Sequence, residues 1–153
     1  MASMLLVEKK MNLFDVPKNC YLMHCISSDF ALEAGIAKEF RRRGCAEELN
    51  KRYHRNSWNG RGYCVQTSIN GFAGAYHLIT KQKYWQKPTY ETVGEALKMA
   101  HYYVNQLIMN KGHVTIAMPR IGYGLDKLKW DKVKTLIEKE FENEDIEIIA
   151  CSL

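Results

Sequence analysis

Two residues of this 153-residue chain have side chains suited to covalent chemistry and stand at the ends of apolar runs. Lys81 follows "AYHLIT" at residues 75–80, and Asp126 closes "VTIAMPRIGYGLD" at residues 114–126. A free lysine, with an ordinary pKa of about 10.4, is a poor nucleophile near neutrality. It becomes one when it is desolvated or when a nearby carboxylate takes its proton. Asp126 is a candidate for that carboxylate. A lone lysine at a strand end is more often a solvated edge residue, and sequence spacing alone does not bring the two together.

Two glycine loops could supply a ligand for such a pair. In "MPRIGYGLD", Gly122 and Gly124 follow an apolar run, and glycines let a ligand approach the main chain closely. A strand, a glycine turn and a helix together present backbone N–H groups to an anion. Most GxG pairs are only turns, so this signal is weak by itself. The second loop is "EAGIA", where Gly35, Ile36 and Ala37 would open a helix with the unpaired donors of a first turn. Two such loops, each after a strand, could hold the two phosphates of a diphosphate. The sequence has no GxxxxGK[ST] and so is not a Walker-type nucleotide hydrolase. Among aromatic residues that could stack on a base, Tyr123 sits between the glycines and is the better candidate. The plainer reading packs Tyr84 and Trp85 within a loop and puts Tyr102 and Tyr103 on a helix.

These residues need strands and helices to hold them, and the hydrophobic pattern supplies both. "LLVEK", "YLMHCI", "GYCVQTSI", "AYHLIT", "VTIAM" and "IEIIACSL" read as strands, being short apolar or β-branched runs between polar segments. "NGFAG" separates the third and fourth as a turn. A helix is expected from Gly35 to Gly44 and a shorter one over "AEELNKRYH". The clearest helix follows Pro88: Val93, Ala96, Leu97, Ala100, Val104, Leu107 and Ile108 recur at three- and four-residue intervals. Thr89 can cap it and Gly112 can end it. A last helix shows Trp130, Val133, Ile137 and Phe141 on one face. Strands alternating with helices predict a three-layer α/β/α sandwich with a mixed central sheet, in one domain over residues 1–153.

Composition is that of a globular protein. The formal net charge of +5 favours anionic partners, and its basic runs "RRRG" and "KRYHR" read as solvated helix faces. The five cysteines are odd in number and scattered without a CxxC, which predicts reduced thiols and an intracellular location, cytoplasmic or nuclear. Cys20 and His24 have a spacing that a metal could use, but no second pair completes a site, so no metal is expected. No signal peptide is evident, and no run approaches the ~20 apolar residues needed to span a bilayer.

Four stretches in order carry a resemblance: "NLFDVP", "HCISSDFALEAGIAKEF", "LITKQKYWQKPTYE" and "MPRIGYGLDKLKW". Together they resemble a macrodomain of the terminal ADP-ribose protein glycohydrolase class, also described as ALC1-like, and the likeness covers nearly the whole chain. It implies the same three-layer sandwich, with a mixed sheet and an ADP-ribose cleft over the strand ends. It further implies removal of mono-ADP-ribose from glutamate or aspartate side chains of modified proteins. By motif, the catalytic lysine falls on Lys81 and the catalytic aspartate on Asp126. The lysine attacks the anomeric carbon of the distal ribose, and the aspartate handles protons while the adduct is resolved.

The same resemblance places Asn12 and Leu13 beside adenine, with Leu153 closing over that side. It makes Ser27 a contact at the end of the second strand and sets Thr80 next to the lysine. Gly35, Ile36 and Ala37 form a first diphosphate loop, and Pro119, Arg120, Ile121, Gly122, Tyr123, Gly124 and Leu125 form a second with Asp126. Two positions depart from the pattern. Met11-Asn12 replaces the usual Gly-Asp, leaving an uncharged acceptor for the adenine amino group. Glu33 stands where a glycine often opens the first loop, adding charge near the phosphates. The same kind of site would also serve an ADP-ribose 1″-phosphate phosphatase, an O-acetyl-ADP-ribose deacylase or a non-catalytic reader of ADP-ribose. The retained lysine and aspartate favour an enzyme that needs no cofactor. The implied partners are ADP-ribosylated proteins and free ADP-ribose, acting on a monomer away from membranes. Nucleic acid is permitted by the basic segments but not required.

Overall fold

A computed structural model describes residues 3–122 and 127–153. Six strands form one sheet: β1 Leu5–Lys10, β2 Tyr21–Ser27, β3 Tyr63–Thr67, β4 Gly74–Lys81, β5 Val114–Pro119 and β6 Ile146–Ser152. Their order is β1-β6-β5-β2-β4-β3, parallel throughout except for β3, which pairs antiparallel with β4. The sheet is therefore mixed, as expected. Side chains alternate between its faces because a strand has a period of two. Met23, Leu78, Ile116, Met118 and Ile148 pack beneath α3 Tyr90–Lys111 and α4 Trp130–Phe141. Leu22, Ile26, Ile79, Ala117 and Ile149 pack beneath α1 Gly35–Arg42 and α2 Cys45–Arg52 on the other face. Two cores with one sheet between them make the three layers. Among the described residues no helix is long and apolar enough to cross a membrane.

Helix ends follow their local chemistry. α3 begins at Thr89, whose side chain accepts from the Thr92 N–H in a capping box, and ends at Gly112. Its buried stripe is Val93, Ala96, Leu97, Ala100 and Val104, each valine or leucine contributing roughly 1.5–3 kcal/mol of burial. α1 differs: its N-cap is Ala34, which provides no side-chain cap. Among the described residues no side chain caps the first-turn N–H groups of α1, the donors that a helix start leaves for an external acceptor. A short 3-10 helix, Leu13–Asp15, is not signalled by hydrophobic periodicity; the Asn12 side chain accepts from Phe14 N–H at 2.8 Å and starts it. The Asn-Gly pair does not make a two-residue hairpin, since residues 68–73 all lie between β3 and β4.

Below α1 lies a buried polar group that hydrophobic patterning does not announce. His24 on β2 and His77 on β4 are hydrogen-bonded at 2.7 Å, and His77 bonds Thr67 at 2.8 Å. The Phe40 ring stacks flat on His24 at 3.6 Å between centroids. Among the described residues no group of three or more His, Cys, Asp or Glu is placed to bind a metal. Burial holds both imidazoles neutral, His24 well below the ordinary 6.5 and His77 down to about 3. The unfolded chain protonates both near 6.5, whereas the folded core does not. Stability is thus complete above about pH 6.5 and is lost as the pH falls toward 3, by up to about tenfold in the folding equilibrium per histidine per pH unit. Urea midpoints should drop steeply from pH 7 to pH 4.5, with no titration of either ring in native-state NMR; titration of the native His24 or His77 ring near 6.5 would contradict this. Burial also pushes the Cys45 and Cys151 thiols up to about 11, making them unreactive.

Candidate active site

The sheet opens where its strand order reverses, between β5 and β2. These strands pair only at Tyr21–Ile116 and Leu22–Ala117. Beyond that point the ladder between them ends, leaving the crevice in which ligands of parallel α/β sheets usually bind. β4 lies on the other side of β2. Its register with β2 shifts after Ile26–Ile79, so that Ser27 pairs with Lys81 and Thr80 is the extra, bulged residue. A bulge redirects the side chains that follow it. Lys81, rather than Thr80, is brought to the crevice.

Two adjoining cavities occupy this edge of the sheet. One, about 660 Å³, is lined by Ser27, Glu33, Ala37, Lys81, Ile121 and Gly122. The other, about 990 Å³, is lined by Asn12, Leu13, Phe14, Arg43, Ser152 and Leu153. Gly35, Ile36, Pro119 and Arg120 line both. The uncapped start of α1 and the end of β5 thus form the waist between two chambers. Gly35 has φ +58°, a left-handed conformation in which a side chain would be strained although the space beside it is open.

Charge at the waist comes from Arg120. Its Nη2 stands 3.6 Å from Glu8 Oε1, and its Nε is buried with no partner among the described residues. Glu8 on β1 also accepts from Trp130 Nε1 at 2.8 Å and Lys134 Nζ at 3.0 Å. The hydrogen bonds from Lys134 and Trp130 hold its carboxyl below the usual range. Glu8 therefore ties β1, the waist and α4 together.

No family model matches the chain. The human ADP-ribose glycohydrolase OARD1 is 36% identical over 145 residues, covering 94% of this chain and 89% of that protein. This chain is a macrodomain of the ADP-ribose glycohydrolase class. Solved structures share the macrodomain fold at lower identity. The macrodomain of Thermus aquaticus DarG superposes with a TM-score of 0.76 at 22% identity, covering 98% of this chain and 99% of that one. Thermosipho africanus DarTG, solved in complex with ADP-ribose, gives a TM-score of 0.67 at 14% identity and covers 97% of this chain and 42% of its own.

Most residues named from the sequence line the macrodomain's two chambers: Asn12, Leu13 and Leu153 in one, Ser27, Ala37, Lys81, Ile121 and Gly122 in the other, and Gly35, Ile36, Pro119 and Arg120 at the waist. Thr80 does not line either; it is buried, and its Oγ1 has no partner among the described residues. Tyr123, Gly124, Leu125 and Asp126 lie outside the described residues. On either side of them, Leu128 N–H donates to the Gly122 carbonyl at 2.7 Å.

Three details refine the sequence reading. The Asn12 Oδ1 expected to accept from adenine already accepts from Phe14 N–H, which leaves it one lone pair. A Cβ on Gly122 would meet Leu128 and Val133 side chains at 3.2–3.3 Å, so this glycine, at φ +78°, is required by packing and backbone conformation as well as by any ligand. Tyr84 and Trp85 are not loop packing: they are 65% and 67% exposed and line the Lys81 chamber. Sequence reasoning also missed Asp29, which accepts from Ser27 Oγ and from the N–H groups of Ala31 at 3.2 Å and Tyr84 at 3.1 Å. An Asp after a strand and two serines is a turn signal, but nothing local announces its partner at Tyr84.

Proposed function

We propose that this single-domain macrodomain is an ADP-ribosyl hydrolase that removes mono-ADP-ribose from glutamate and aspartate side chains of modified proteins. The observation that carries the reading is a pair of adjoining chambers, a shared waist where an arginine meets a helix start that has no side-chain cap, and a lysine in one chamber only. ADP-ribose has the same plan: adenosine and a second ribose joined by a diphosphate. Adenine would occupy the chamber of Leu13 and Leu153. The diphosphate would cross the waist onto the first turn of α1 and Arg120, because helix N-termini and guanidinium groups both favour phosphate oxygens. The distal ribose would then reach Lys81. The ADP-ribose glycohydrolase named at 36% identity and the ADP-ribose-bound neighbour of the same fold support this assignment.

The chemistry follows from the leaving group. Once its proton has been taken up, Lys81 Nζ attacks C1″, the bond from C1″ to the ester oxygen breaks, and its electron pair leaves on the acceptor carboxylate. A carboxylate is stable as an anion, so no strong acid has to protonate it. Asp126 takes the proton from the lysine nitrogen and afterwards assists water in resolving the C1″–N adduct. The deciding experiment offers ADP-ribose linked to glutamate or aspartate, to serine and to a nucleic acid base in parallel. Release from the carboxylate ester should exceed the other two by at least about a hundredfold, a difference of roughly 3 kcal/mol in the barrier. Equal release from all three, or preference for another linkage, would overturn the assignment.

A further inference from the structure

A cleft that holds ADP-ribose leaves unexplained what grips the acceptor beyond C1″, and the chamber's rim offers an answer. Tyr84 and Trp85 are adjacent, 65% and 67% exposed, and line the Lys81 chamber with Lys87. They are not on a loose loop. Lys83 N–H donates to Gln86 Oε1 at 2.7 Å, and Gln86 N–H donates back to the Lys83 carbonyl at 3.0 Å. Asp29, at the end of β2, accepts from Tyr84 N–H, and Lys83 Nζ donates to Asn56 Oδ1 at 2.9 Å. A closed turn, pinned from two sides, thus holds two large aromatic rings in water. Large rings carried on a pinned backbone turn, with only two side-chain torsions each to order, lose little entropy on binding and bury much area, the properties that make Trp and Tyr dominant anchors at interfaces.

We propose that Tyr84 and Trp85 form a docking lip for the acceptor chain, specifically for an acidic polypeptide segment flanking the modified residue. This rests on the hydrolase reading, in which C1″ lies at Lys81 and the acceptor leaves the chamber past this rim. Charge selects the occupant. Lys83 precedes the aromatic pair, and the Asn56 amide to which its Nζ donates is neutral, whereas the Asp29 carboxylate below the turn is engaged by Ser27 Oγ and the N–H groups of Ala31 and Tyr84, so the lip carries positive charge beside apolar area. An acidic side chain complements Lys83 while the peptide backbone and stems cover the rings.

Binding tests the lip apart from turnover. In a Lys81→Ala background, dissociation constants are measured by calorimetry for free ADP-ribose, an ADP-ribosylated acidic peptide and an ADP-ribosylated single-stranded DNA oligonucleotide. The peptide conjugate should bind about tenfold more tightly than free ADP-ribose, a margin typical of one or two aromatic anchors. Adding Tyr84→Ser and Trp85→Ser should remove that margin, lowering the affinity of the peptide conjugate about tenfold more than that of free ADP-ribose. Equal affinity of peptide conjugate and free ADP-ribose overturns the proposal. So does an equal loss for both ligands in the double variant, which would assign the rings to the ADP-ribose site, or preference for the DNA conjugate, which would make them a base-stacking platform. Failure of the hydrolase reading shows separately, as no release of ADP-ribose by the unaltered protein.

Discussion

Replacing Lys81 by alanine should reduce release of ADP-ribose from a glutamate-linked substrate by on the order of a thousandfold or more, while the affinity for free ADP-ribose changes by only a few-fold. The asymmetry follows from the geometry. Lys81 lines one chamber, whereas the waist and the other chamber are built from different residues. Ground-state binding is therefore spread over groups that the substitution leaves in place, and only the covalent step loses its nucleophile. Removing a nucleophile typically costs several powers of ten in turnover. Lys81→Arg sharpens the test: it retains the positive charge but supplies no amine nucleophile, so turnover should remain as low as in Lys81→Ala. A Lys81→Arg variant with parental turnover would show that the residue acts only through its charge. Stability should not be the cause of the loss, because Lys81 is partly exposed at a strand end. Urea midpoints of the three proteins should agree within about 0.5 kcal/mol, the usual range for substitutions away from a core.

The second large effect is expected at Phe40, which lines neither chamber. It is fully buried and is the buried residue of α1. Its ring stacks on His24 at 3.6 Å and meets Phe14 edge-on at 5.5 Å. Phe40→Ala would leave a cavity between α1 and the sheet, at a cost of about 3–5 kcal/mol. That is a large part of the 5–15 kcal/mol typical of a domain's stability. Because α1 carries Gly35 and Ile36 at the waist, a helix that has lost its anchor should also hold the diphosphate less well. ADP-ribose affinity should fall at least about tenfold, with the urea midpoint falling in parallel. Phe40→Leu fills more of the space and should recover a good part of both losses. Unchanged affinity in a clearly destabilised Phe40→Ala protein would show that the position of α1 is set by something other than this ring.

Much of the fold was legible because it is written in local chemistry. The three- and four-residue spacing from Val93 to Val104, with Thr89 before it and Gly112 after it, defines α3 without reference to any other segment. Gly35 marks the start of α1 for the same reason, its φ of +58° being a backbone property that glycine satisfies. The motifs around Lys81 and Gly122 could be read as site residues because the family likeness is carried by contiguous residues. The likeness could not say that Thr80 would be bulged away from the cleft: register with β2 depends on a strand more than fifty residues earlier in the chain. Nor could it say that Asn12 would spend its acceptor on Phe14.

The sequence by itself determined the strands and helices, the order in which they alternate, and the two glycine loops with the lysine between them. Tertiary structure alone decided the waist where α1 meets β5, the link from Glu8 to Arg120, the neutral pair of His24 and His77, and the exposure of Tyr84 and Trp85. The physical reason is range. Periodicity, caps and turns are fixed by residues a few positions apart, whereas a register shift, an ion pair between strands or a ring left facing water depends on what the rest of the chain places beside it.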